Sequence, residues 1–344
     1  MAAPHPLRKF DDFGHDVIVI DGLWGSGKQL VSTLIGTFER VEHYKYDPDY
    51  DYFCALDALG HMSRAAAITM LQLVAGRNQY YNVIGREINL RWHDETGWRY
   101  HPRRLEWVRR IFGPDGDAMA ERIDRLNIAN NLATHCILAA ADPLHDAFGS
   151  RLKFVEVTRH PVHLYTHWKR FLAPSKWRRT REFNLTVDVH GEKVPWFAAG
   201  WAETFAQASV EDRALLGVSR LATGVMDRVE TRHRTATAAH LVSFESLVLE
   251  PSREIERLRS FLGRPITGSS RRIMRMNAIP RARIADGPRI GQSYRWTSSG
   301  SDAEVYRRLA DEINAEVSAP VRDEFWAVVE RYNRVFPGPL AAYE

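Results

Sequence analysis

The N-terminal part of the chain begins with an apolar run that is followed by a helical pattern. Residues 17–20, Val-Ile-Val-Ile, are continuously apolar and β-branched, as in a strand that is buried on both faces of a parallel sheet. From Gln29 to Phe38 the apolar residues recur every three to four positions, which is typical of a helix with one buried face. The pattern therefore predicts a strand, a turn and a helix over residues 17–38.

The rest of the chain alternates predicted strands and helices. Strands are predicted at Cys136–Ala140, Lys153–Thr158 and His240–Phe244, and helices at 65–75, 118–132, 143–148, 162–171, 252–262, 302–316 and 320–335. The stretch 41–53, rich in tyrosine and aspartate, is predicted to form a short strand and an exposed loop. This alternation predicts an α/β fold with a central, mostly parallel sheet flanked by helices on both faces. A single domain over residues 1–344 is expected, with residues 1–15 as the part most open to flexibility.

The composition is that of an ordinary globular protein. Of the 344 residues, 44% are hydrophobic and 26% are charged, and the net charge is +4. This mildly basic balance suits an anionic ligand and does not require nucleic acid as a partner. The sequence contains two cysteines, Cys54 and Cys136, which favours a reducing, cytoplasmic location. No secretion signal is expected, and the longest apolar stretch is shorter than the ~20 residues of a membrane span.

A phosphate-binding motif occupies the predicted turn. Residues 22–28 read Gly-Leu-Trp-Gly-Ser-Gly-Lys, the spacing G-x-x-x-x-G-K. A glycine-rich turn at a helix N-terminus offers amides and the positive end of the helix dipole to an anion, and Lys28 would add a charge. Gln29 stands where magnesium-dependent nucleotide triphosphatases carry Ser or Thr. The motif predicts a phosphorylated ligand and favours one that needs no metal; a purely structural turn is the alternative.

A second candidate anion site follows the strand predicted at 153–158. Arg159 lies at the carboxyl end of that strand, where ligands of open α/β sheets gather. Pro161 then starts a helix that carries Thr166 and His167. An arginine fork with a hydroxyl or an imidazole suits a phosphate monoester. A structural ion pair of Arg159 is the alternative.

Four separated segments of the chain resemble sulfotransferases that use 3′-phosphoadenosine 5′-phosphosulfate (PAPS). The first is Gly22–Leu30, which resembles the loop that holds the 5′-phosphosulfate, with Ser26 and Gly27 as its Ser-Gly core. The second is Arg159-His160-Pro161, which resembles the start of the 3′-phosphate site.

The other two segments lie towards the C-terminus. Residues 241–265 are similar to the family's strand, Tyr-Glu-Asp-Leu motif and following helix. Arg289-Ile290-Gly291, with Arg295-Trp296, resembles the loop that closes over the nucleotide. The four segments occur in the family's order and together span residues 18–296.

The resemblance implies a metal-independent transfer of a sulfuryl group from PAPS to a hydroxyl or amine. Adenosine 3′,5′-bisphosphate would be the product, and the acceptor would be a small molecule or a carbohydrate. The family's 3′-phosphate serine falls at His167, one position after Thr166, and either residue could serve. The implied donor-binding residues are Gly25, Ser26, Gly27, Lys28, Gln29, Leu30, Arg159, Thr166, His167, Arg289, Ile290 and Gly291.

Lys28 and His135 are the catalytic candidates that the resemblance implies. The family's basic residue before Ser-Gly is replaced by Gly25, so Lys28 is the nearest base that could support the leaving phosphate. His135 stands where cytosolic sulfotransferases place a catalytic histidine, although their lysine two residues earlier is Ala133 here. Many carbohydrate-acting relatives use a glutamate near the second strand, and Glu42 is the corresponding alternative. A core histidine with no catalytic role is the other reading of His135.

Two other functions remain open from the sequence. A P-loop kinase or NTPase would bind ATP or GTP with magnesium, and Gln29 argues against it. A degenerate nucleotide-binding module would hold adenosine 3′,5′-bisphosphate without turnover, and the departures at Gly25 and Ala133 are compatible with it. The oligomeric state is open as well.

Overall fold

Within the part of the chain that the structure describes, a five-stranded parallel sheet forms the centre. The computed structural model describes residues 8–9, 13–92, 94, 96–173, 184–231, 239–287 and 300–338. The strands in chain order are β1 (Val17–Asp21), β2 (Lys45–Tyr46), β3 (Asn130–Ala133), β4 (Leu152–Thr158), β5 (Thr186–Val189), β6 (Glu192–Pro195) and β7 (His240–Ser243). The order in the central sheet is β2-β3-β1-β4-β7, while β5 and β6 form a separate antiparallel hairpin.

Helices connect and cover the strands. They are α1 (Lys28–Ile35), α2 (Asp49–Ala58), α3 (Arg64–Val83), α4 (Arg104–Arg109), α5 (Asp117–Leu126), α6 (Asp142–Phe148), α7 (Tyr165–Leu172), α8 (Ala202–Gln207), α9 (Val210–Glu230), α10 (Phe244–Leu249), α11 (Pro251–Leu262), α12 (Ser269–Met276), α13 (Asp302–Glu316) and α14 (Ala319–Val335). Short 3₁₀ turns lie at Arg110–Phe112, Leu138–Ala140, Gly149–Arg151, Pro161–Leu164 and Trp196–Trp201.

The central strand β1 is buried on both of its faces, as the apolar run predicts. Val17 and Val19 belong to one hydrophobic cluster, which also includes residues of α7, α9 and α14. Ile18 and Ile20 point into a second cluster, which includes residues of α1 and α11. Because side chains alternate across a strand, the two clusters lie on opposite faces of the sheet. The predicted α/β fold with helices on both faces is therefore confirmed.

The strand predicted at Cys136–Ala140 is wrong, since the structure places β3 at Asn130–Ala133 instead. β3 pairs with β1 in parallel, and its two buried asparagines donate to distant backbone groups. Asn130 donates to the Ala75 carbonyl at 2.8 Å, and Asn131 donates to the Ser32 carbonyl at 3.1 Å. The apolar run 136–140 instead forms a turn and a 3₁₀ helix.

Three other predictions also need correction, and one of them is the helix predicted at 65–75, which continues to Val83 as α3. The remaining predicted elements are confirmed to within a few residues. The helix predicted at 118–132 ends at Leu126, because Asn127 takes a left-handed conformation (φ 48°) and ends it. Residues 41–53 contain the short strand β2, but α2 begins at Asp49 where the pattern predicts a loop. The 21-residue helix α9 has no counterpart among the predicted elements.

The carboxyl ends of three neighbouring strands meet at one edge of the sheet. β1 leads into the Gly22–Gln29 loop, β3 leads into Thr134 and His135, and β4 leads into Arg159. Parallel strands present these ends side by side, so residues far apart in sequence become neighbours. The candidate site is built at this edge.

Candidate functional site

The Gly22–Gln29 loop adopts a conformation that requires its glycines. Gly25 and Gly27 have φ of 86° and 93°, in the left-handed region that glycine tolerates best. A Cβ at Gly27 would lie 2.2 Å from an atom of the Phe244 ring, and one at Gly25 would lie 3.0 Å from the His167 ring. Gly27 caps the N-terminus of α1, whose first amides have no partner within the helix. Because these two positions carry no side chain, the backbone of the loop can approach a ligand closely.

Lys28 lies inside the loop. Its side chain is buried, and its Nζ donates to the carbonyl oxygens of Gly22 at 2.9 Å and Leu23 at 3.4 Å. Burial lowers the pKa of the ammonium, while nearby acidic groups, Cys136 and Asp21 first among them, oppose that shift. Lys28 thus stabilises the loop from within, and the cavity described below does not include it among its lining residues.

Buried carboxyl groups lie beneath the loop: Asp21 and Asp51 contact the residues that follow β3, and Glu156 lies on β4. Asp21 accepts hydrogen bonds from the amides of Ile137 at 2.8 Å and Leu138 at 2.9 Å. Burial raises the pKa of Asp21, and it raises the pKa of Asp51 and Glu156 well above their ordinary values. The Lys28 ammonium acts in the opposite direction on all three pKa values. This side of the loop is rich in acidic groups.

A cavity of about 310 Å³ opens on the other side of the loop. Its volume is at the lower end of the range of ~300–1,000 Å³ that small-molecule sites occupy. Its lining includes six residues that the sequence predicts to bind the donor, namely Gly27, Gln29, Leu30, Arg159, Thr166 and His167. It also includes Phe244 and Arg281, which the sequence did not indicate as site residues. Both the loop motif and the second predicted anion site therefore face one cavity.

Three arginines (Arg159, Arg281 and Arg308) and two carboxylates (Asp302 and Glu312) line this cavity, and Arg159 and Arg281 lie closest to the loop. Arg159 Nη1 donates to the Gly25 carbonyl at 2.8 Å, and its guanidinium lies 4.6 Å from the centre of the Phe244 ring. Arg281 approaches the same ring at 5.6 Å. Burial and the nearby Arg159 charge lower the pKa of Arg281 to about 10. Two cations held close together in a partly buried cavity favour an anion between them.

Arg281 has no carboxylate partner within hydrogen-bonding distance in the described part of the chain. Its side chain donates to the backbone carbonyls of Ile284 at 2.9 Å and Asn277 at 3.2 Å. These bonds fix the guanidinium without neutralising it. The positive charge remains available to a ligand.

Glu245 supports the turn that carries Arg159. The carboxyl group is buried and accepts a hydrogen bond from the His160 amide at 3.0 Å. Burial raises the pKa of Glu245, and the Arg159 charge counteracts part of that shift. This contact joins the end of β4 to α10 and so fixes the turn from which Arg159 projects.

His135 lies on the acidic side of the loop. Its backbone amide donates to Asp51 Oδ1 at 3.1 Å, and its Nδ1 lies 3.5 Å from Asp51 Oδ2. The side chain is about a quarter exposed (26%), with the Tyr46 ring packed edge-on at 4.6 Å. The next residue, Cys136, donates its amide to the Gly22 carbonyl at 3.3 Å, so His135 stands next to the start of the loop. Asp51 orients this imidazole, leaving Nε2 as the nitrogen that faces away from the carboxylate.

Glu42, the alternative base, is engaged in a buried ion pair. Its two carboxylate oxygens accept from Arg110 at 2.8 and 3.0 Å. Although burial opposes the charged form, the Arg110 guanidinium leaves the pKa of Glu42 below its ordinary value. Both carboxylate oxygens of Glu42 are therefore held by Arg110, whereas the side chain of His135 is partly exposed.

Ser26 is not among the described residues that line the cavity of about 310 Å³. Ser26 is buried and lines a separate space of about 20 Å³ together with Glu156 and Arg159. Arg289, Ile290 and Gly291 lie outside the described residues, so their predicted role stays a prediction.

Sequence reasoning missed Asp51, Phe244 and Arg281 as functional candidates. Phe244 occupies the tyrosine position of the resembled Tyr-Glu-Asp-Leu motif, which was a usable signal. Arg281 lies in a predicted loop and Asp51 on an unpredicted helix. Nothing in their local sequence indicates that the fold brings them to the Gly22–Gln29 loop.

Comparisons with known proteins return two similar solved structures among others. One is the sulfotransferase domain from the curacin biosynthetic pathway, with 12% sequence identity, a TM-score of 0.46, and coverage of 93% of this chain and 98% of that one. The other is the sulfotransferase domain from the Synechococcus PCC 7002 olefin synthase, with 12% identity, a TM-score of 0.43, and coverage of 96% and 98%.

Both matches are to the family that the sequence motifs resemble. No protein-family model matches the chain, and no curated protein matches it. With identities of 12% and TM-scores below 0.5, neither structural similarity assigns a function to this chain.

Proposed function

We propose that the protein is a sulfotransferase that moves a sulfuryl group from PAPS to a hydroxyl or amine of a small-molecule or carbohydrate acceptor. The observation that carries the proposal is the single cavity in which the N-terminus of α1, Arg159 and Arg281 face one another. A helix N-terminus and paired guanidinium groups both select phosphate and sulfate groups. The four sequence motifs occur in the order found in PAPS-dependent sulfotransferases. This order supports PAPS as the particular anion that is bound.

The donor's two anionic ends would be held by different residues. The backbone of Gly25–Leu30 would bind the 5′-phosphosulfate at the start of α1, with Lys28 adding charge from within the loop. Arg159, with Thr166 or His167, would bind the 3′-phosphate. Arg281 lines the same cavity and lies beside Arg159, so we assign it to the same phosphate. Arg289 and Gly291 are proposed to close over the nucleotide.

His135 is proposed to be the general base of the transfer. Its Nε2 would take the proton of the acceptor hydroxyl or amine while the acceptor oxygen or nitrogen forms its bond to sulfur. The bond between sulfur and the bridging phosphate oxygen breaks, and adenosine 3′,5′-bisphosphate leaves with the electron pair. Asp51 would hold the imidazole and stabilise its positive charge after proton transfer.

The chemistry would proceed without a metal. Gln29 replaces the hydroxyl that ligates magnesium in nucleotide triphosphatases. Preorganised positive groups at the helix N-terminus would instead stabilise the charge that develops on the leaving phosphate oxygen.

Transfer of radiolabelled sulfate from PAPS to a panel of phenols, alcohols, amines and sugars tests this proposal. Wild-type protein should label at least one acceptor class in the presence of a metal chelator. Lys28→Ala and Arg159→Ala should each reduce that transfer, while Arg170→Ala, which removes an exposed arginine of α7, should not. If both of the first two variants transfer sulfate as the wild type does, this site is not the donor site.

A further inference from the structure

Exposed apolar side chains are concentrated in one segment of the chain. Among the described residues, eight large hydrophobic side chains are exposed, and five of them fall between residues 90 and 112. These five are Leu90 (57% exposed), Trp92 (53%), Leu105 (67%), Ile111 (50%) and Phe112 (87%). Single exposed apolar residues are common on protein surfaces, but a concentration of this kind marks an interaction site.

Arginines are interleaved with these apolar residues. Arg99 lies 4.9 Å from the Trp92 ring centre, and Arg104 lies 5.9 Å from that of Trp98. Arg91 and Arg109 are exposed. Arg99, Arg104 and Arg109 form no ion pair with a carboxylate among the described residues, so their charges are available to a partner. We call residues 90–112, apart from 93 and 95, the arginine–apolar surface.

The surface is held rigidly by residues on its inner side. In α4, Trp107 is buried and stacks on His101 with ring centres 4.5 Å apart. Arg110, directly after α4, makes the buried ion pair with Glu42. Leu105 and Phe112 therefore project outwards from a fixed base.

The spacing of Leu105, Arg109 and Phe112 places them on one side of this segment. Residues four and three positions apart share a face of a helix, and this face points to solvent because Trp107 anchors the opposite one. An outward face that combines apolar and cationic side chains is typical of proteins that bind at the lipid headgroup region.

We propose that the arginine–apolar surface docks on an anionic lipid bilayer. The side chain of Phe112 is 87% exposed. A partner that buries it must therefore surround it on most sides. Fluid lipid does this without a complementary groove, and anionic headgroups complement Arg104 and Arg109. Within the described residues no helix is long and apolar enough to cross a membrane, so the association would be peripheral.

Docking would bring the cavity lined by Arg159 and Arg281 close to the bilayer. Tyr100 belongs to the same segment and lines that cavity. Arg272 of α12, the helix beside the cavity, donates to the carbonyls of Arg99 at 2.7 Å and His101 at 2.9 Å. The proposal does not depend on the chemistry proposed for the cavity.

Co-sedimentation of the full-length protein with vesicles tests the proposal. Phosphatidylcholine vesicles with about 30% phosphatidylserine should bind the protein, and pure phosphatidylcholine should bind it much less. Binding should weaken as salt is added, because salt screens the arginine charges. Replacing both Arg104 and Arg109 by Gln should reduce partitioning about 25-fold, from about fivefold for each cation.

The apolar half of the surface is tested separately. Leu105→Ser combined with Phe112→Ser should reduce partitioning at least tenfold, roughly what the loss of two inserted side chains implies. Leu73→Ser and Arg253→Gln alter exposed residues elsewhere and should bind as the wild type does. Thermal melting shows whether each variant remains folded.

Three results would overturn the proposal. The first is wild-type protein that stays in solution with every vesicle, and the second is equal binding to neutral and anionic vesicles. The third is unchanged binding by the folded surface variants. A wild-type dimer that Phe112→Ser dissociates, without vesicle binding, would assign the surface to a second copy of this chain instead.

Discussion

The surroundings of the Gly22–Gln29 loop differ in their charged groups between the cavity and the His135–Asp51 contact. The cavity side carries Arg159 and Arg281, with no carboxylate within hydrogen-bonding distance of Arg281 among the described residues. The opposite side carries buried acidic groups and the His135–Asp51 contact. A polyanionic donor is favoured on the first side, where arginine charges are available to it. The difference suits the cavity side to binding the donor and the acidic side to accepting a proton.

Lys28 lies between these two environments. Its ammonium bonds to the loop's own carbonyls and is stabilised by the acidic groups below. A cation in this position keeps the acidic groups from repelling the donor across the loop, since its charge lies between them. We therefore interpret Lys28 as a positive charge that screens the donor from the buried acidic groups. We also interpret it as a support for the leaving group.

The largest expected effect comes from removing the base on the acidic side. His135→Gln should reduce sulfate transfer by about 10²–10⁴-fold, the usual contribution of general base catalysis. The affinity for adenosine 3′,5′-bisphosphate should stay within about twofold of the wild type, because His135 is not a lining residue of the cavity. Steady-state kinetics and calorimetry measure the two quantities. His61→Gln, an exposed histidine, is the control, and a large loss of affinity in His135→Gln would refute the separation of the two sides.

Removing a cation from the cavity side should instead weaken the binding of the nucleotide. Arg159→Ala should weaken binding of adenosine 3′,5′-bisphosphate about 10- to 100-fold, since hydrogen bonds to charged groups contribute about 1.5–3 kcal/mol. Arg281→Ala should weaken it by a smaller factor, because its guanidinium also serves two backbone carbonyls. Calorimetric titration measures both. The comparison fails if Arg159→Ala binds the nucleotide as tightly as Arg170→Ala.

The buried carboxyl group of Glu156 should reveal itself in the pH dependence of stability. The pKa of Glu156 is raised in the folded state, so its favourable contribution is present below the ordinary value of 4.5 and is lost as the pH rises through the folded-state pKa. Glu156→Gln should therefore increase the free energy of unfolding at about pH 8 by on the order of 1 kcal/mol.

Near pH 4 the same variant should match the wild type, since the carboxyl group is then largely protonated in both states. Urea unfolding at the two pH values measures the difference. Glu121→Gln, an exposed site, serves as the control. A variant less stable than the wild type at high pH would mean that Glu156 is a net stabiliser of Lys28.

The smallest effect is expected at Gln29. Gln29→Ser restores the hydroxyl of a nucleotide triphosphatase at a residue that lines the cavity. Because a hydroxyl alone does not complete a magnesium site, the variant should change the affinity for adenosine 3′,5′-bisphosphate by less than about twofold. It should also gain no magnesium-dependent ATP binding. Tight ATP binding in the presence of magnesium would show that Gln29 alone separates this site from a kinase.

The features predictable from sequence are those encoded by local patterns. β1, the glycine loop and α1 follow from adjacent residues whose burial, turn geometry and periodicity all agree. The position of β3 is not predictable in this way because Asn130 and Asn131 do not resemble a buried strand, and their acceptors lie about 55 to 99 residues away.

The candidate site divides in the same way. Arg159 is recognisable because it follows a strand directly, and its place in the cavity is compatible with its predicted role. Arg281 and Asp51 reach the site through long-range packing, which no local pattern records. His135 is a candidate through a family resemblance, and only the structure gives it a carboxylate partner.

Thermal denaturation in the presence of one of two ligands at a time most directly tests the central claim, which is that the cavity binds a PAPS-type donor. Adenosine 3′,5′-bisphosphate, with a chelator and no metal, should raise the melting temperature, because a ligand at about 100 times its Kd stabilises the folded state by ~2.7 kcal/mol. ATP with magnesium should cause little change. Stabilisation by ATP with magnesium, and none by adenosine 3′,5′-bisphosphate, would contradict the assignment of the cavity to a PAPS-type donor.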